Sequence, residues 1–523
     1  MCVISAPMLP AQSNVTTEVK NLPQATATAP SSAEQQGYNV RAFGSVGDGK
    51  NLDSPAINRA IESCAQAGGG TVYVPPGTYL CGSIRMKSNI HLHIDAGAII
   101  LGAPQEMNAY DLAEPFAGTA YQDGGHTYFH NSLIWGEGLT NVWITGLGLI
   151  NGGGLTRSDK DVGKGPIGLG DKAIALRRCR NVLIRDITIF HGGHFAIIVT
   201  GCDNMTIDNV TIDTNRDGLD LDCCRNTVVS NCRINSPDDD GLCPKSSYGL
   251  GEARITENMT IVNCQVSGFE EGTLLDGRMI PSRRRTGRIK FGTESNGGFR
   301  NITVANCTFR QCRGLALEEV DGGILENITI DNITMMDVAD YPIFIRLGRR
   351  NREPDGTKVG ALRNVLISNV IATGIDSRSG VQIMGLPGYD IEGVRLQNIR
   401  LQFTGGGTEA DAKRHPPELE KDYPEPKRFG VMPAYGLFAR HVRDLEIADF
   451  RVGFDKEDLR PSMVCVDVDD LEIDNYKAQV ARKVPAARFD GVGGLVVRNS
   501  PVLDGLTASR RQKWAPRSHG NNP

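Results

Sequence analysis

One pattern of polar and apolar positions returns along the chain. An asparagine opens it, residues then alternate between core-forming and polar types, and an asparagine or aspartate closes it. It reads Asn181-Val-Leu-Ile-Arg-Asp186, Asn204-Met-Thr-Ile-Asp-Asn209, Asn226-Thr-Val-Val-Ser-Asn231 and Asn258-Met-Thr-Ile-Val-Asn263. It continues as Asn301-Ile-Thr-Val-Ala-Asn306, Asn327-Ile-Thr-Ile-Asp-Asn332 and Asn364-Val-Leu-Ile-Ser-Asn369. The spacing runs from 22 residues (Asn204 to Asn226) to 43 (Asn258 to Asn301). A phrase recurring at such intervals marks a solenoid. Each copy is too short for a helix, alternates with period two and favours Val, Ile and Thr, so it predicts one strand per coil. A single strand cannot bury its apolar face, but a stack of coils can. The fold class that follows is all-β, a parallel β-helix with a groove along one side where loops of varying length collect.

The same pattern sets the domain organisation. A helix is predicted after Asp53 or Ser54, with Pro55 at its first position; Ile57, Ala60, Ile61 and Cys64 share one face and Gly68-Gly69-Gly70 ends it. Such an N-terminal helix would cap the open end of the stack. The segment Thr71 to Tyr79 and the segment His91 to Asp95 read as the first strands, and coils run from Leu133 to about Leu503. The β-helix domain is therefore placed at residues 37–506. Residues 1–36, rich in Ala, Ser, Thr and Gln, read as a disordered segment or the remnant of an export signal, and 507–523 as a loose C-terminal tail. Two inserts, Arg278 to Lys290 and Gly405 to Gly430, are long enough to wall the groove.

Composition narrows the function classes. With 56 basic and 61 acidic residues among 523, bulk charge argues for neither nucleic acid nor membrane, and no apolar run is long enough to span a bilayer. Thirteen cysteines, an odd number, fit a disulfide framework poorly. Cys179, Cys202 and Cys224 each lie two residues before the repeat asparagine, and Cys232, Cys264 and Cys307 each directly follow its closing partner. Cysteines in phase on successive coils read as a buried ladder of small side chains.

Acidic residues gather in two stretches one coil apart: Asn215-Arg-Asp217-Gly-Leu-Asp220-Leu-Asp222 and Ser236-Pro-Asp238-Asp239-Asp240-Gly-Leu-Cys-Pro-Lys245. The step from Asp217 to Asp239 equals the 22-residue step from Asn204 to Asn226. Equivalent residues on adjacent coils stack at roughly 4.8 Å. Carboxylates that close repel, which raises the pKa of at least one. Glycoside hydrolysis uses this arrangement: one carboxylic acid protonates the leaving oxygen while another carboxylate activates water. The plainer alternative is that these aspartates rim solvated turns.

These residues resemble glycoside hydrolase family 28, the polygalacturonase-like pectin-degrading enzymes, across roughly Asn39 to Leu503. Phe43-Gly-Ser-Val-Gly-Asp-Gly-Lys50 and Gly68-Gly-Gly-Thr-Val-Tyr-Val-Pro-Pro-Gly-Thr-Tyr79 are similar to the family's entry segment; Asn215-Arg-Asp217-Gly to its Asn-Thr-Asp-Gly motif; and the Asp238–Asp240 run with Lys245 to its Asp-Asp motif with a downstream lysine. The resemblance implies a right-handed, pectin-lyase-like solenoid and an inverting hydrolase. It implies that Asp217 helps activate water and that the first aspartate of the pair is the general acid. Counting forward from Asp217 favours Asp238 and Asp239 as the pair; counting back from Lys245 favours Asp239 and Asp240. The second is chosen, giving Asp217, Asp239 and Asp240 as catalytic residues and leaving Asp238 to the substrate.

The chain departs from the family in two places. No histidine stands where the Gly-His-Gly motif should fall, at Gly268-Phe-Glu270-Glu271-Gly272. Arg288-Ile-Lys290 looks like the family's Arg-Ile-Lys clamp for a substrate carboxylate, but comes one coil early; at the expected place stand Ala316 and Glu318. The basic insert with Arg283, Arg284, Arg285, Arg288 and Lys290 is then either a different clamp for an acidic sugar or a solvated loop. His194, one coil before Asp217, is a candidate groove residue, and Lys245, Arg288, Glu294 and Glu318 join Asp238 and His194 as candidate substrate contacts.

The expected activity is hydrolysis of pectin-type polysaccharide or oligosaccharide. Alternatives are hydrolysis of a neutral linkage such as a rhamnoside, a polysaccharide lyase with Lys245 near its base position, and a non-catalytic carbohydrate-binding β-helix. No cofactor or metal is expected for the hydrolase. A monomer is expected, without nucleic-acid or membrane partners, working in the periplasm or outside the cell.

Overall fold

The computed structural model describes residues 37–115, 124–157, 169–352 and 358–505. The expectations for 1–36 and 507–523 fall outside these residues. The described chain is a right-handed parallel β-helix. Each regular coil holds three strands rather than the one that the repeat predicts. One coil runs Phe195–Thr200, Asp203–Asp208, Thr211–Asp213. Each of these pairs in parallel with its equivalents one coil before and one coil after: Phe195–Thr200 with Lys172–Arg177 and Asp217–Asp222, and Asp203–Asp208 with Arg180–Arg185 and Arg225–Ser230. The repeated phrase is the middle strand. The other two are less regular in sequence, one because it faces the groove and the other because it is only three residues long.

The asparagines are corners. Asn204, Asn226, Asn258, Asn301, Asn327 and Asn364 all take φ between 54° and 58°, the left-handed region that asparagine tolerates better than other side-chain-bearing residues. Corners in register stack their amides. Asn226 donates to Asn204 at 3.2 Å, Asn258 to Asn226 at 3.3 Å, Asn301 to Asn258 at 3.1 Å and Asn327 to Asn301 at 3.0 Å. The closing asparagines form a second ladder, with Asn263 donating to Asn231 at 3.3 Å and Asn306 to Asn263 at 3.2 Å. The repeat therefore encodes two bends and the apolar strand between them. An Asn258→Ala substitution combines left-handed strain with loss of two ladder bonds. It should cost about 1–2 kcal/mol by thermal unfolding, with Asn258→Gly recovering the strain component.

Between the corners, the inward positions stack into columns. Met205, Thr227, Met259, Ile302, Ile328 and Val365 form one, all buried and in strand register. The cysteine ladder is real: every cysteine among the described residues is buried and free. The predicted cap is a helix over Ser54–Gln66 with Pro55 in its first turn, burying Ile57, Ala60, Ile61 and Cys64 against the strands Gly70–Val74 and Ile84–Arg85. No helix among the described residues is long and apolar enough to cross a membrane.

The insert between Gly405 and Gly430 crosses the outside of several coils as a strap. It includes the short helix Glu409–Ala412 and the 3-10 turn Pro426–Phe429. Buried arginines hold its backbone: Arg346 donates to the Glu418 carbonyl at 2.6 Å, and Arg440 to those of Pro416 at 2.6 Å and Pro417 at 2.9 Å.

Candidate active site

The strand Asp217–Asp222 directs Leu219 and Leu221 into the core, which leaves Asp220 and Asp222 facing out toward the groove side. The next coil enters through Asp238, Asp239 and Asp240 and continues as the strand Leu242–Lys245, with Asp220 opposite Cys243 and Asp222 opposite Lys245. Gly218 donates its N–H to the Asp240 carbonyl at 3.0 Å, which seats Asp217 over Asp240. The nearest carboxylate oxygens of Asp217, Asp239 and Asp240 all lie within 4.8 Å of one another. Asp238 turns aside, its carboxylate 3.8 Å from Arg284 Nε.

The three clustered aspartates have different surroundings. Asp239 is the open one, with 34% of its side chain exposed against 5% for Asp217 and 2% for Asp240. Asp240 receives Arg288 Nε at 2.5 Å on one oxygen and Lys290 Nζ at 3.1 Å on the other. Burial alone would push Asp240 up, but the two cations hold it well below the usual carboxylate range. Asp217 is pushed far up by burial, then by Asp239 and Asp220. Asp239 is also raised, by burial and by Asp240, and Arg216 at 3.2 Å moderates the rise.

The basic insert supplies the cations. It returns to the coil as Arg288-Ile-Lys290, whose alternation puts Ile289 in the core and both cations on the aspartate side. The strap supplies the outer wall: Lys290 Nζ donates to the Tyr423 hydroxyl at 3.1 Å, and Glu425 pairs with Arg313 at 2.5 Å. A cavity of about 600 Å³ opens here, bounded by Asp238, Asp239, Arg283, Arg284, Tyr423 and Lys427 among others.

Residues 37–272 match the family described as rhamnogalacturonase A/epimerase, pectate lyase-like. A probable polygalacturonase of Vitis vinifera is 30% identical over 389 residues, which span 72% of this chain and 75% of that protein. This protein belongs to glycoside hydrolase family 28. An exopolygalacturonase of Platanus acerifolia is 26% identical over 71% of this chain and 91% of its own. The crystal structure of a hyperthermoactive exopolygalacturonase from Thermotoga maritima superposes with a TM-score of 0.58 at 24% identity, over 70% of this chain and 86% of that one.

As a family 28 member the chain is divergent, and the other sequence-derived candidates lie deeper than open sugar contacts would. Lys245, Glu294, Glu318 and His194 are 6%, 7%, 1% and 1% exposed. Lys245 Nζ lies 3.1 Å from Asp220, 3.3 Å from Glu294 and 3.3 Å from His126 Nε2. Burial would lower Lys245, but Asp220 and Glu294 more than reverse this and keep it charged. Glu294 also meets Arg352 and Arg350, so its carboxyl stays ionised despite burial. Glu318 lies 3.8 Å from Lys290; burial pushes it up to about 7, with Lys290 and Arg288 opposing. His194 stacks on Phe195 and reaches the site through Arg216, 3.3 Å from its Nε2.

Sequence reasoning missed His126, Tyr341, Tyr423 and Glu425. Nothing in the repeat marks them: Tyr423 and Glu425 lie in the strap, His126 in the short helix Gly124–Thr127, and Tyr341 on the strand Ala339–Leu347, none of which carries the repeated phrase. Lys290 carried a signal: two cations at period two fall on one face of a strand.

Proposed function

We propose that the protein hydrolyses glycosidic bonds in pectin-type polysaccharides or oligosaccharides, with Asp239 as general acid, Asp240 as the carboxylate that takes a proton from water, and Asp217, whose carboxyl burial and its neighbours push far up, helping to position that water. The observation that carries this reading is the meeting of three aspartates of which Asp239 alone is open. Burial and Asp240 raise the Asp239 carboxyl, which favours its acid form where a leaving oxygen can reach it, while Arg288 and Lys290 keep Asp240 as an anion. The strap wall beside the cavity favours attack from a chain end, and a polymeric substrate places the enzyme in the periplasm or outside the cell. The lyase alternative needs an uncharged lysine base, and Lys245 is held charged by two carboxylates.

Family membership favours inversion. The carboxylate spacing points the other way, since oxygens within 4.8 Å are closer than the roughly 6.5–9.5 Å usual for an inverting pair with water between them. Inversion at this site requires the water to sit beside Asp217 and Asp240 rather than between acid and base. One assay decides both matters: homogalacturonan, rhamnogalacturonan and their oligomers are incubated and followed for reducing ends, viscosity, ultraviolet absorbance and, by proton NMR, the first product anomer. The proposal expects new reducing ends, slow viscosity loss, no ultraviolet-absorbing product and an inverted anomer. A retained anomer overturns the single-displacement step. An unsaturated product, or no turnover on any pectic substrate, overturns the hydrolase itself.

A further inference from the structure

We infer that Arg288 and Lys290 are positioning residues for Asp240, holding it as the permanent anion of the aspartate cluster rather than gripping a carboxylate of the substrate. The inference rests on the hydrolase reading above. A substrate clamp must offer its donors to the groove; Arg288 borders the cavity, but it and Lys290 are each only 2% exposed. Each oxygen of Asp240 already has its own cation, Arg288 Nε at 2.5 Å on Oδ1 and Lys290 Nζ at 3.1 Å on Oδ2. The chain also takes up their remaining reach. Arg288 Nη1 donates to the Tyr341 hydroxyl, and its Nη2 faces Glu425 at 3.8 Å. Lys290 Nζ donates to the Tyr423 hydroxyl and lies 3.8 Å from Glu318.

The cluster explains why two cations stand here. Asp240 faces Asp217 and Asp239 directly, with Asp220 and Lys245 behind them, Arg216 on the far side of Asp239 and the Cys243 thiol 3.9 Å from its Oδ2. Carboxyl groups so crowded cannot all release their protons. Whichever is best compensated ionises first, and a bidentate pair of buried cations selects Asp240. The proton then stays on its neighbours, of which only Asp239 reaches the open cavity. Fixing both oxygens of Asp240 also fixes the direction in which it can accept a proton from water. The family's clamp residues would thus have been moved one coil and given a different task, and the next coil's Ala316 and Glu318 need bind no uronate.

The test is the pair Lys290→Met and Lys290→Arg, assayed on whichever pectic oligomer the wild type cleaves. With one of two cations gone, the acid limb of the kcat/KM profile should move up by about one pH unit, and kcat should fall about 10–100-fold. KM should stay within about threefold, and Lys290→Arg should restore both limb and turnover. A merely structural lysine would lower the amount of folded enzyme without moving the limb. A substrate clamp would raise KM for acidic oligomers and leave the limb in place; either result overturns the inference. Should Lys290→Met fail to fold, Arg288→Lys, which keeps the charge and loses the planar fork, should move the limb in the same direction by less. Wild type without turnover would overturn the hydrolase reading instead. The pairing is then judged by thermal unfolding: the penalty of Lys290→Met must vanish in an Asp240→Asn background, and its persistence there overturns the assignment.

Discussion

Asp239→Asn should reduce kcat about 10³-fold while leaving KM and the melting temperature close to wild type. The amide fills the same space beside Arg216 but cannot give a proton to the leaving oxygen. Because burial and Asp240 raise Asp239 above its ordinary value, wild-type activity should persist to higher pH than a free aspartic acid allows, then fall as Asp239 loses its proton. That alkaline limb should be absent in the variant. Substrates whose leaving group departs without protonation should recover most of the lost rate, which separates a missing acid from a damaged site. Asp240→Asn should also be severely impaired, through loss of the base rather than the acid, and no good leaving group should rescue it. Full turnover by either variant would remove that residue from its role.

The second large effect is on stability. Lys245→Met should destabilise the fold by about 3–5 kcal/mol at neutral pH, because it leaves buried carboxylates without their shared cation. Glu294 keeps Arg350 and Arg352, but Asp220 is fully buried and Lys245 is the cation beside it at 3.1 Å. Burial already pushes Asp220 up to about 6 with the lysine present, and without it the value must rise further. A carboxyl raised in the folded state contributes its full stability below the unfolded value of about 3.9, and loses it as pH rises through the folded value. The gap in melting temperature between wild type and Lys245→Met should therefore widen from pH 4 to pH 8. A gap constant with pH would show that Asp220 is not the group left stranded.

Both predictions depend on side chains whose meeting was only partly legible in the sequence. The stacking of Asp217 over the Asp238–Asp240 run could be counted, because coil length fixes which residues lie one strand apart. Counting forward and counting back disagreed by one residue. The disagreement arises in the turn before Leu242, where Asp238 swings toward Arg284 and lets Asp239 and Asp240 close on Asp217. Arg288 and Lys290 were legible as a same-face pair but not as partners of Asp240, since an insert separates them from the aspartates by about fifty residues. Its place after the aspartates, like the family's downstream lysine, makes Lys245 an expected substrate contact. Its buried bonds to Asp220 and Glu294 come from three different coils.

The sequence by itself determined the solenoid, its cap, the cysteine ladder and the coil on which the acids gather. These follow from local rules: alternation decides which side chains face inward, and asparagine decides where the chain can bend left-handed. Only the tertiary structure decided which aspartate is open, which is held charged and what walls the cavity. Those properties depend on burial and on the distance between charges carried by inserts outside the repeat, and no spacing along one chain fixes where such inserts come to rest.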